Sequence, residues 1–295
     1  MTQAIANGIT LEYQSFGSAK APAILLIMGL GAHMIRWNQE LCDLLVARGY
    51  RVIRFDNRDC GLSTHLDQAP LPDLGAALKS GKLPLSPYSL EDMAADSVGL
   101  LDALGIDRAH VVGASLGAAV AQLIAARRPE RTLSLTTIMS SSGNPLLPPP
   151  TPAAARALFA PLPKRRDRDS IVADGIQRFR AVESPAYPTD EARLRRLFET
   201  EYDRGFYPQG VARQLAALMA NGDRRPLLRT ISVPTVVLHG AADPLIRVEG
   251  GKDVAKNIPG AELRMVEGMG HDFPVQLTET FADAITAAAN RAKTG

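Results

Sequence analysis

The chain has 295 residues, of which 46% are hydrophobic, and it carries a net charge of +2. This length allows one large domain or two small ones, and the near-neutral charge gives no indication of binding to nucleic acid or to an acidic membrane surface. No uninterrupted apolar stretch reaches the roughly 18 residues of a membrane span. With two cysteines, Cys42 and Cys60, and no signal-peptide pattern at the N-terminus, we expect a cytoplasmic globular protein without a disulfide framework.

Strand and helix patterns alternate through the first 140 residues. Short apolar runs that end near glycine are typical of buried strands, and longer runs with apolar residues three or four apart are typical of helices. One helix opens with Ser89 and Asp92, the pattern of a capping box. In chain order we predict a strand at Ala23–Gly29, a helix at Trp37–Tyr50, a strand at Arg51–Asp56, a helix at Ser89–Gly105, a strand at 109–115, a helix from 116 that stops before Pro129 and a strand at Thr132–Ser140.

The alternation stops at Ser141 and resumes only after about Arg229. The intervening residues are rich in proline and arginine and contain helix patterns but no buried strand. After them we predict a strand at Val233–Gly240, a helix around 246–258, a strand at 261–268 and a helix near Thr278–Ala292. The pattern indicates an α/β protein with a mostly parallel, doubly wound sheet: residues 1–140 and 230–295 form the core domain, and 141–229 form a helical cap insertion. Two sequential domains are the disfavoured alternative, because two strands are too few for a separate sheet.

Ser115 lies between Gly113 and Gly117, where the predicted strand turns into the next helix. Such a turn forces the serine into strained backbone dihedrals, and the glycines let neighbouring backbone approach closely. The hydroxyl then stands exposed at the positive end of the helix, which is the nucleophile elbow G-x-S-x-G. We therefore predict that Ser115 is a nucleophile. The alternative is a strand–helix turn of small residues without chemistry.

A nucleophilic serine needs a histidine base, and the chain has five histidines. His271 is our candidate because it lies in a glycine-rich loop after the last predicted strand, where ligand chemistry gathers in open α/β sheets. We expect His239 and His110 to be structural residues, and we assign no role to His65. His33 lies close to the expected oxyanion loop, so pocket lining is its candidate role.

The base in turn needs an acid that orients it, and Asp243 is our candidate because it follows the strand that ends at Gly240. Asp272 is the rival, but side chains of adjacent residues usually point apart. Glu267 is expected to be a polar residue at the end of a strand. For the oxyanion we predict two backbone amide donors: Leu116 follows the nucleophile, and Leu30 lies between two glycines after the first long strand.

Taken together, these motifs resemble the α/β-hydrolase fold family over nearly the whole chain. The matching segments are Met28–Gly31, Phe55–Ser63, Gly113–Gly117, His239–Ile246 and Gly268–His271. Within the family, the chain is similar to bacterial serine esterases of the kind that includes the anthracycline methyl-ester hydrolases. The resemblance implies a helical cap after the sixth strand, and it implies no cofactor and no metal.

The chain departs from many relatives at two places. Met28 stands where they have histidine before the oxyanion loop, but the donor is a backbone amide, so we expect the site to survive. Arg58-Asp59 stands where they have Arg-Gly, and we interpret it as a polar structural turn near that loop. Cys60 in the same turn is expected to be a small buried residue and not a second nucleophile.

The predicted function is hydrolysis of carboxylic esters of small or medium organic molecules through an acyl-enzyme intermediate. The same residues would also serve a lactonase, a thioesterase, a perhydrolase-type haloperoxidase or a C–C bond hydrolase. Halide-releasing and epoxide-opening relatives use an aspartate nucleophile, and Ser115 argues against them. A different class is a hydrolase-fold protein that binds a small ligand without turnover, although such proteins usually lose one member of the triad.

Overall fold

A computed structural model describes residues 2–81 and 83–293 of the chain. In this described part, eight strands form one sheet in the order β1-β2-β4-β3-β5-β6-β7-β8. The strands are β1 (Thr2–Ala6), β2 (Ile9–Phe16), β3 (Ala23–Ile27), β4 (Arg51–Phe55), β5 (Ala109–Ala114), β6 (Thr132–Ile138), β7 (Thr235–Gly240) and β8 (Glu262–Val266). Strands β3 to β8 are parallel, whereas β1 and β2 pair antiparallel at one edge. The prediction of a mostly parallel α/β sheet is confirmed.

Helices cover both faces of this sheet. Successive side chains of β3 point to opposite faces, so that Leu25 and Ile27 pack with one group of helices while Ile24 and Leu26 pack with the other. The first group includes α3 (Leu90–Ala103), α4 (Leu116–Arg127) and α10 (Val248–Asn257), and the second includes α1 (Gln39–Ala47) and α11 (Thr278–Lys293). None of the helices in the described ranges has both the length and the apolarity that crossing a membrane requires.

The remaining helices include one between β4 and α3 and a group between β6 and β7. The first is α2 (Leu74–Ser80), which the sequence patterns did not predict. Residues 139–234, all of which are described, contain five helices and no strand. These are α5 (Pro152–Phe159), α6 (Arg168–Arg180), α7 (Glu191–Gly205), α8 (Pro208–Asn221) and α9 (Arg225–Leu228). We refer to residues 139–234 as the helical insertion.

The two ends of the helical insertion lie side by side. The backbone amide of Arg224 donates to the carbonyl of Ser142 at 2.8 Å. A Cβ at Gly143 would lie 2.0 Å from the Gly222 carbonyl oxygen, so only glycine fits this crossing, and Gly143 also has a positive φ of 76°. The chain therefore leaves the sheet after β6 and returns toward β7 close to the point where it left.

Two local predictions were incomplete. The hairpin β1–β2 was not predicted, although its turn is Asn7-Gly8, with φ of 48° and 78°, the dipeptide that two-residue hairpin loops prefer. The helix predicted from Trp37 begins only at Gln39, because the side chain of Asn38 caps it by accepting a hydrogen bond from the Leu41 amide. The capping box of Ser89 and Asp92 is confirmed at the start of α3.

Candidate active site

Ser115 occupies the sharp turn between β5 and α4. Its φ of 54° and ψ of −119° lie in a region that non-glycine residues rarely adopt. A Cβ at Gly113 would lie 2.2 Å from the Gly117 carbonyl oxygen, and a Cβ at Gly117 would lie 2.2 Å from the Ile27 carbonyl oxygen. Both glycines are therefore required by backbone packing, which holds the serine between a buried strand and the N-terminus of α4.

The structure brings Ser115, His271 and Asp243 into one hydrogen-bonded line. The Nε2 atom of His271 lies 3.1 Å from the Ser115 Oγ atom, and its Nδ1 atom lies 2.7 Å from an Asp243 carboxylate oxygen. A carboxylate only accepts hydrogen bonds, so Nδ1 carries the proton and Nε2 accepts from the serine hydroxyl. The three side chains come from the ends of β5, β7 and β8, which meet at one edge of the parallel sheet.

The Asp243 carboxylate is fully buried and its two oxygens have different partners. Oδ1 accepts the backbone amides of Leu245 and Ile246, each at 2.8 Å, while Oδ2 faces His271. His239 lies behind it, with Nε2 3.7 Å from Oδ2. Burial lowers the pKa of His239, and its Nε2 donates to the Ile246 carbonyl at 2.8 Å. Asp243 is thus held by backbone amides in an orientation that suits the imidazole of His271.

The structure separates the two rival acids from the imidazole Nδ1. Asp272 accepts hydrogen bonds from the hydroxyl and the backbone amide of Ser184, in the segment between α6 and α7. Burial raises the pKa of Asp272 to about 6. Glu267 is exposed in the turn after β8.

The two residues predicted to supply the oxyanion amides, Leu30 and Leu116, lie near the nucleophile in the chain or in space. Leu116 begins α4 directly after Ser115, so its amide is among those at the helix N-terminus without an intrahelical acceptor. The loop before Leu30 approaches closely, since a Cβ at Gly29 would lie 3.1 Å from the Ser115 Cβ. Neither the Leu30 amide nor the Leu116 amide forms a hydrogen bond within the described part of the chain.

A cavity of about 1190 Å³ opens in front of Ser115 and His271. Its walls come from the loop after β3 on one side and from the helical insertion on the other, and they are mostly apolar. Lining side chains of the insertion include Leu158, Phe159, Phe179, Phe198, Leu215 and Leu218. His33 is also among the lining residues; it is 5% exposed, and burial lowers its pKa.

Three of the five arginines at the cavity wall are paired with carboxylates. Arg36 binds Glu201 at 2.7 Å, Arg178 binds Asp174 at 2.6 Å and Arg193 binds Glu40 at 2.7 Å. These pairs cancel positive charge that would otherwise attract anionic ligands.

Cys60 also lies at the cavity wall. Burial raises the pKa of its thiol well above the usual value. Because the thiolate is the reactive form, this cysteine is a poor nucleophile near neutral pH. Its 3% exposure agrees with the prediction of a small buried residue.

The remaining predicted residues have structural partners. His110 lies within hydrogen-bonding distance of the Ser134 hydroxyl at 2.9 Å, and His65 stacks on Tyr207 with ring centroids 3.9 Å apart. The Met28 carbonyl accepts a hydrogen bond from Asn57 at 2.9 Å, so the backbone before the oxyanion loop has support from the turn after β4. Among the described residues, no group of three or more His, Cys, Asp or Glu side chains forms a metal-ligating cluster.

Three buried polar residues of the helical insertion were missed by sequence reasoning. Arg213 pairs with Asp59, Gln214 hydrogen-bonds Gly31, and Ser184 holds Asp272. The only sequence signal was the polar pair Arg213-Gln214 interrupting an apolar stripe on α8. The spacing of the apolar residues predicts a helix, but it does not predict which residues Arg213 and Gln214 contact, so this signal did not identify a role for them.

Comparison with known proteins agrees with the fold and the motifs. A sequence profile of the alpha/beta hydrolase fold matches residues 22–276. The chain is 28% identical to rhodomycin D methylesterase DnrP of Streptomyces peucetius, over 97% of each chain, and 26% identical to 3-oxoadipate enol-lactonase 2 of Acinetobacter baylyi, over 97% of this chain and 95% of the relative. The enol-lactonase structure from Burkholderia xenovorans superposes with a TM-score of 0.75 at 22% identity, covering 98% of this chain and all of that one. Since the profile spans most of its length, the chain belongs to the α/β-hydrolase fold family.

Proposed function

We propose that this protein hydrolyses carboxylic esters through an acyl-enzyme formed on Ser115. The observation that carries the proposal is the line of hydrogen bonds from Ser115 through His271 to Asp243, at 3.1 and 2.7 Å. A serine hydroxyl becomes nucleophilic when a base within hydrogen-bonding reach accepts its proton and a third group orients that base. The similarity to a methylesterase supports an ester as the substrate.

In the proposed reaction, the Ser115 Oγ atom attacks the ester carbonyl carbon while His271 Nε2 accepts the hydroxyl proton. The carbonyl electron pair moves to its oxygen, and the Leu30 and Leu116 amides stabilise the resulting oxyanion. When the tetrahedral intermediate collapses, the bond to the alcohol oxygen breaks and His271 returns the proton to the leaving alcohol. A water molecule activated by His271 then cleaves the acyl-enzyme and releases the acid.

We assign residues 1–140 and 230–295 to a core domain and 141–229 to a cap domain that roofs the active site. Residues 1, 82, 294 and 295 of this division lie outside the described residues. The assignment is supported by the adjacent ends of the helical insertion, at Ser142 and Arg224. Both cysteines are free and buried, which supports the expectation that the protein acts in the reducing cytoplasm.

The cavity favours an uncharged and bulky ester. Its volume of about 1190 Å³ exceeds the 300–1,000 Å³ usual for pockets that hold drug-sized ligands. The lining is mostly apolar and three of its five arginines are paired with carboxylates, which supports an uncharged substrate over a small anion. We propose a methyl ester or another small-alcohol ester of a molecule with several rings or a long acyl chain.

Hydrolysis of a lactone is the second candidate function. It is favoured by the similarity to 3-oxoadipate enol-lactonase 2, and a lactone reacts by the same steps because it is a cyclic ester. The two functions differ in whether the leaving alcohol stays tethered to the acyl group.

The proposed function is tested by labelling and by turnover. A fluorophosphonate probe should label the peptide that contains Ser115 in the wild type, and Ser115→Ala should abolish labelling. Cys60→Ala is the matched control and should keep it, since this thiol is buried and protonated. Turnover is then measured on p-nitrophenyl esters, aromatic methyl esters, lactones and thioesters. Folded protein that takes no label and turns over none of these would contradict the proposal and favour ligand binding without catalysis.

A further inference from the structure

We infer that Gln214, on helix α8 of the helical insertion, is a positioning residue for the oxyanion site. It holds the Gly31 amide, and thereby directs the neighbouring Leu30 amide toward the carbonyl oxygen of the substrate. The inference rests on the proposed function, because it assigns a role within the same reaction.

Gln214 joins the helical insertion to the loop after β3 and to the turn after β4. Its Oε1 atom accepts the backbone amide of Gly31 at 2.8 Å, and its Nε2 atom donates to the carbonyl of Arg58 at 2.8 Å. The side chain is 0% exposed. Burying an amide is costly unless it is hydrogen-bonded, so these two bonds define a single orientation for it.

The bond to Gly31 selects which amide of the loop remains available. Leu30 and Gly31 are consecutive, and either amide would be a donor for an oxyanion if the loop turned. The Gly31 amide is occupied by Gln214, whereas the Leu30 amide forms no hydrogen bond with another described residue. Gly31 has a φ of 60°, in the left-handed region. Because glycine can also adopt other backbone conformations, the loop needs a contact that holds this one. Gln214 supplies that support from outside the loop.

Helix α8 is fixed firmly enough to serve as this support. Arg213 forms a two-point ion pair with Asp59, with distances of 2.8 and 3.2 Å, and both side chains are almost inaccessible to solvent. A Cβ at Gly210 would lie 1.9 Å from the Asp59 carbonyl oxygen, so helix and turn are in direct backbone contact. The same helix face brings Val211 against Gly31, where an added Cβ would lie 2.6 Å from a Val211 methyl. The oxyanion loop therefore rests on α8 through both polar and apolar contacts.

The test compares Gln214→Met with Gln209→Met, an equal change at an exposed position of the same helix. Kinetics are measured on p-nitrophenyl butyrate. Affinity is measured for an alkyl trifluoromethyl ketone, whose adduct with Ser115 carries an oxyanion, and for the corresponding methyl ketone. Direct loss of an oxyanion donor costs about 10²–10³ in kcat. Because Gln214 acts through a neighbouring amide, we expect about a tenfold loss of kcat, a parallel loss of trifluoromethyl ketone affinity, and an unchanged KM and methyl ketone affinity.

Gln209→Met should match the wild type in all four measurements. If Gln214→Met does not fold, as judged by circular dichroism, Gln214→Asn tests the same point, because it keeps an amide but is too short to reach Gly31; the same losses are expected. Wild-type kcat and ketone affinity in a folded Gln214 variant would overturn the inference, and so would an equal loss of affinity for both ketones. An inactive wild type would instead overturn the proposed function, and the inference with it.

Discussion

Asp272 follows His271 directly in the chain, yet its carboxylate is bound to Ser184 of the helical insertion. The Ser184 hydroxyl and backbone amide both donate to the same oxygen of Asp272, and the Ser184 hydroxyl also accepts the Gly270 amide at 2.8 Å. The His271 amide donates to the Val182 carbonyl at 2.8 Å in the same segment. The loop that carries the candidate base is thus held in place from the insertion, while Asp243 alone faces the imidazole Nδ1.

Replacing Asp243 by Asn should lower kcat far more than replacing Asp272 by Asn. Asn at 243 preserves shape but favours the wrong tautomer of His271, and the equivalent change in a serine protease triad costs about 10⁴ in kcat. Asn at 272 keeps an acceptor for Ser184, so we expect less than about a tenfold loss. Steady-state kinetics of both variants on the same ester test which carboxylate orients His271. A large loss for Asp272→Asn beside near-normal Asp243→Asn would exclude Asp243 as the orienting acid.

Asp272 should also make stability depend on pH. Burial raises its pKa to about 6, above the ordinary value of 3.8. A raised pKa means that the folded state binds the proton more tightly, so the stabilisation is present below about pH 4 and is lost as pH rises through about 6. Relative to Asp272→Asn, which does not titrate, the free energy of unfolding of the wild type should fall by about 2 kcal/mol between pH 4 and pH 7. Urea unfolding of both proteins from about pH 4 to 7 measures it; a constant difference would contradict the assignment.

Ser115→Ala and Ser115→Gly should both abolish ester hydrolysis but differ in stability. Loss of the nucleophile costs about 10⁶ in kcat in subtilisin, which uses the same kind of triad. The φ of 54° and ψ of −119° strain any residue with a Cβ, whereas glycine tolerates them. We expect the glycine variant to exceed the alanine variant by about 1 kcal/mol in free energy of unfolding. Equal stabilities would show that the turn stores no strain, and residual hydrolysis would reassign the nucleophile.

Phe159→Ala should weaken binding of bulky esters without slowing the reaction of small ones. Phe159 lines the cavity from α5 and is 46% exposed, so losing its partly buried ring should raise KM for an aromatic methyl ester about fivefold, equivalent to about 1 kcal/mol. kcat for p-nitrophenyl acetate should stay within about twofold. Leu146→Ala is the control, because Leu146 is 84% exposed and is not among the cavity-lining residues. Loss of all acetate hydrolysis in folded Phe159→Ala would indicate a catalytic contribution from α5.

Arg213→Met should destabilise the protein, because it leaves the Asp59 carboxylate buried without its ion-pair partner. Asp59 and Arg213 are buried together, and breaking such a pair costs about 3–5 kcal/mol, whereas removing both charges costs less. Asn at 59 tolerates the φ of 62° found there. We therefore expect Arg213→Met with Asp59→Asn to be more stable than Arg213→Met alone. A single variant within about 1 kcal/mol of the wild type in urea unfolding would contradict this account.

Local patterns predicted the six parallel strands and the members of the candidate site, but they missed the antiparallel hairpin β1–β2. Glycines such as Gly113 and Gly117 are needed where a buried strand turns sharply into a helix. Their spacing around Ser115 therefore predicts the turn from five residues alone. His271 and Asp243 each follow a strand, and the carboxyl ends of parallel strands meet at one edge. The order of strands and helices therefore implies that these side chains converge.

The supports of the site depended on contacts between residues far apart in the chain. Gln214 and Gly31 are 183 residues apart, Arg213 and Asp59 are 154 apart, and Ser184 and Asp272 are 88 apart. Helical periodicity predicts which face of α8 a polar residue lies on, but it does not predict which residues contact that face. The sequence by itself thus determined which groups gather at the sheet edge, because that follows from strand order. Only the tertiary structure decided which residues hold them, because buried hydrogen bonds and ion pairs form where separate elements pack.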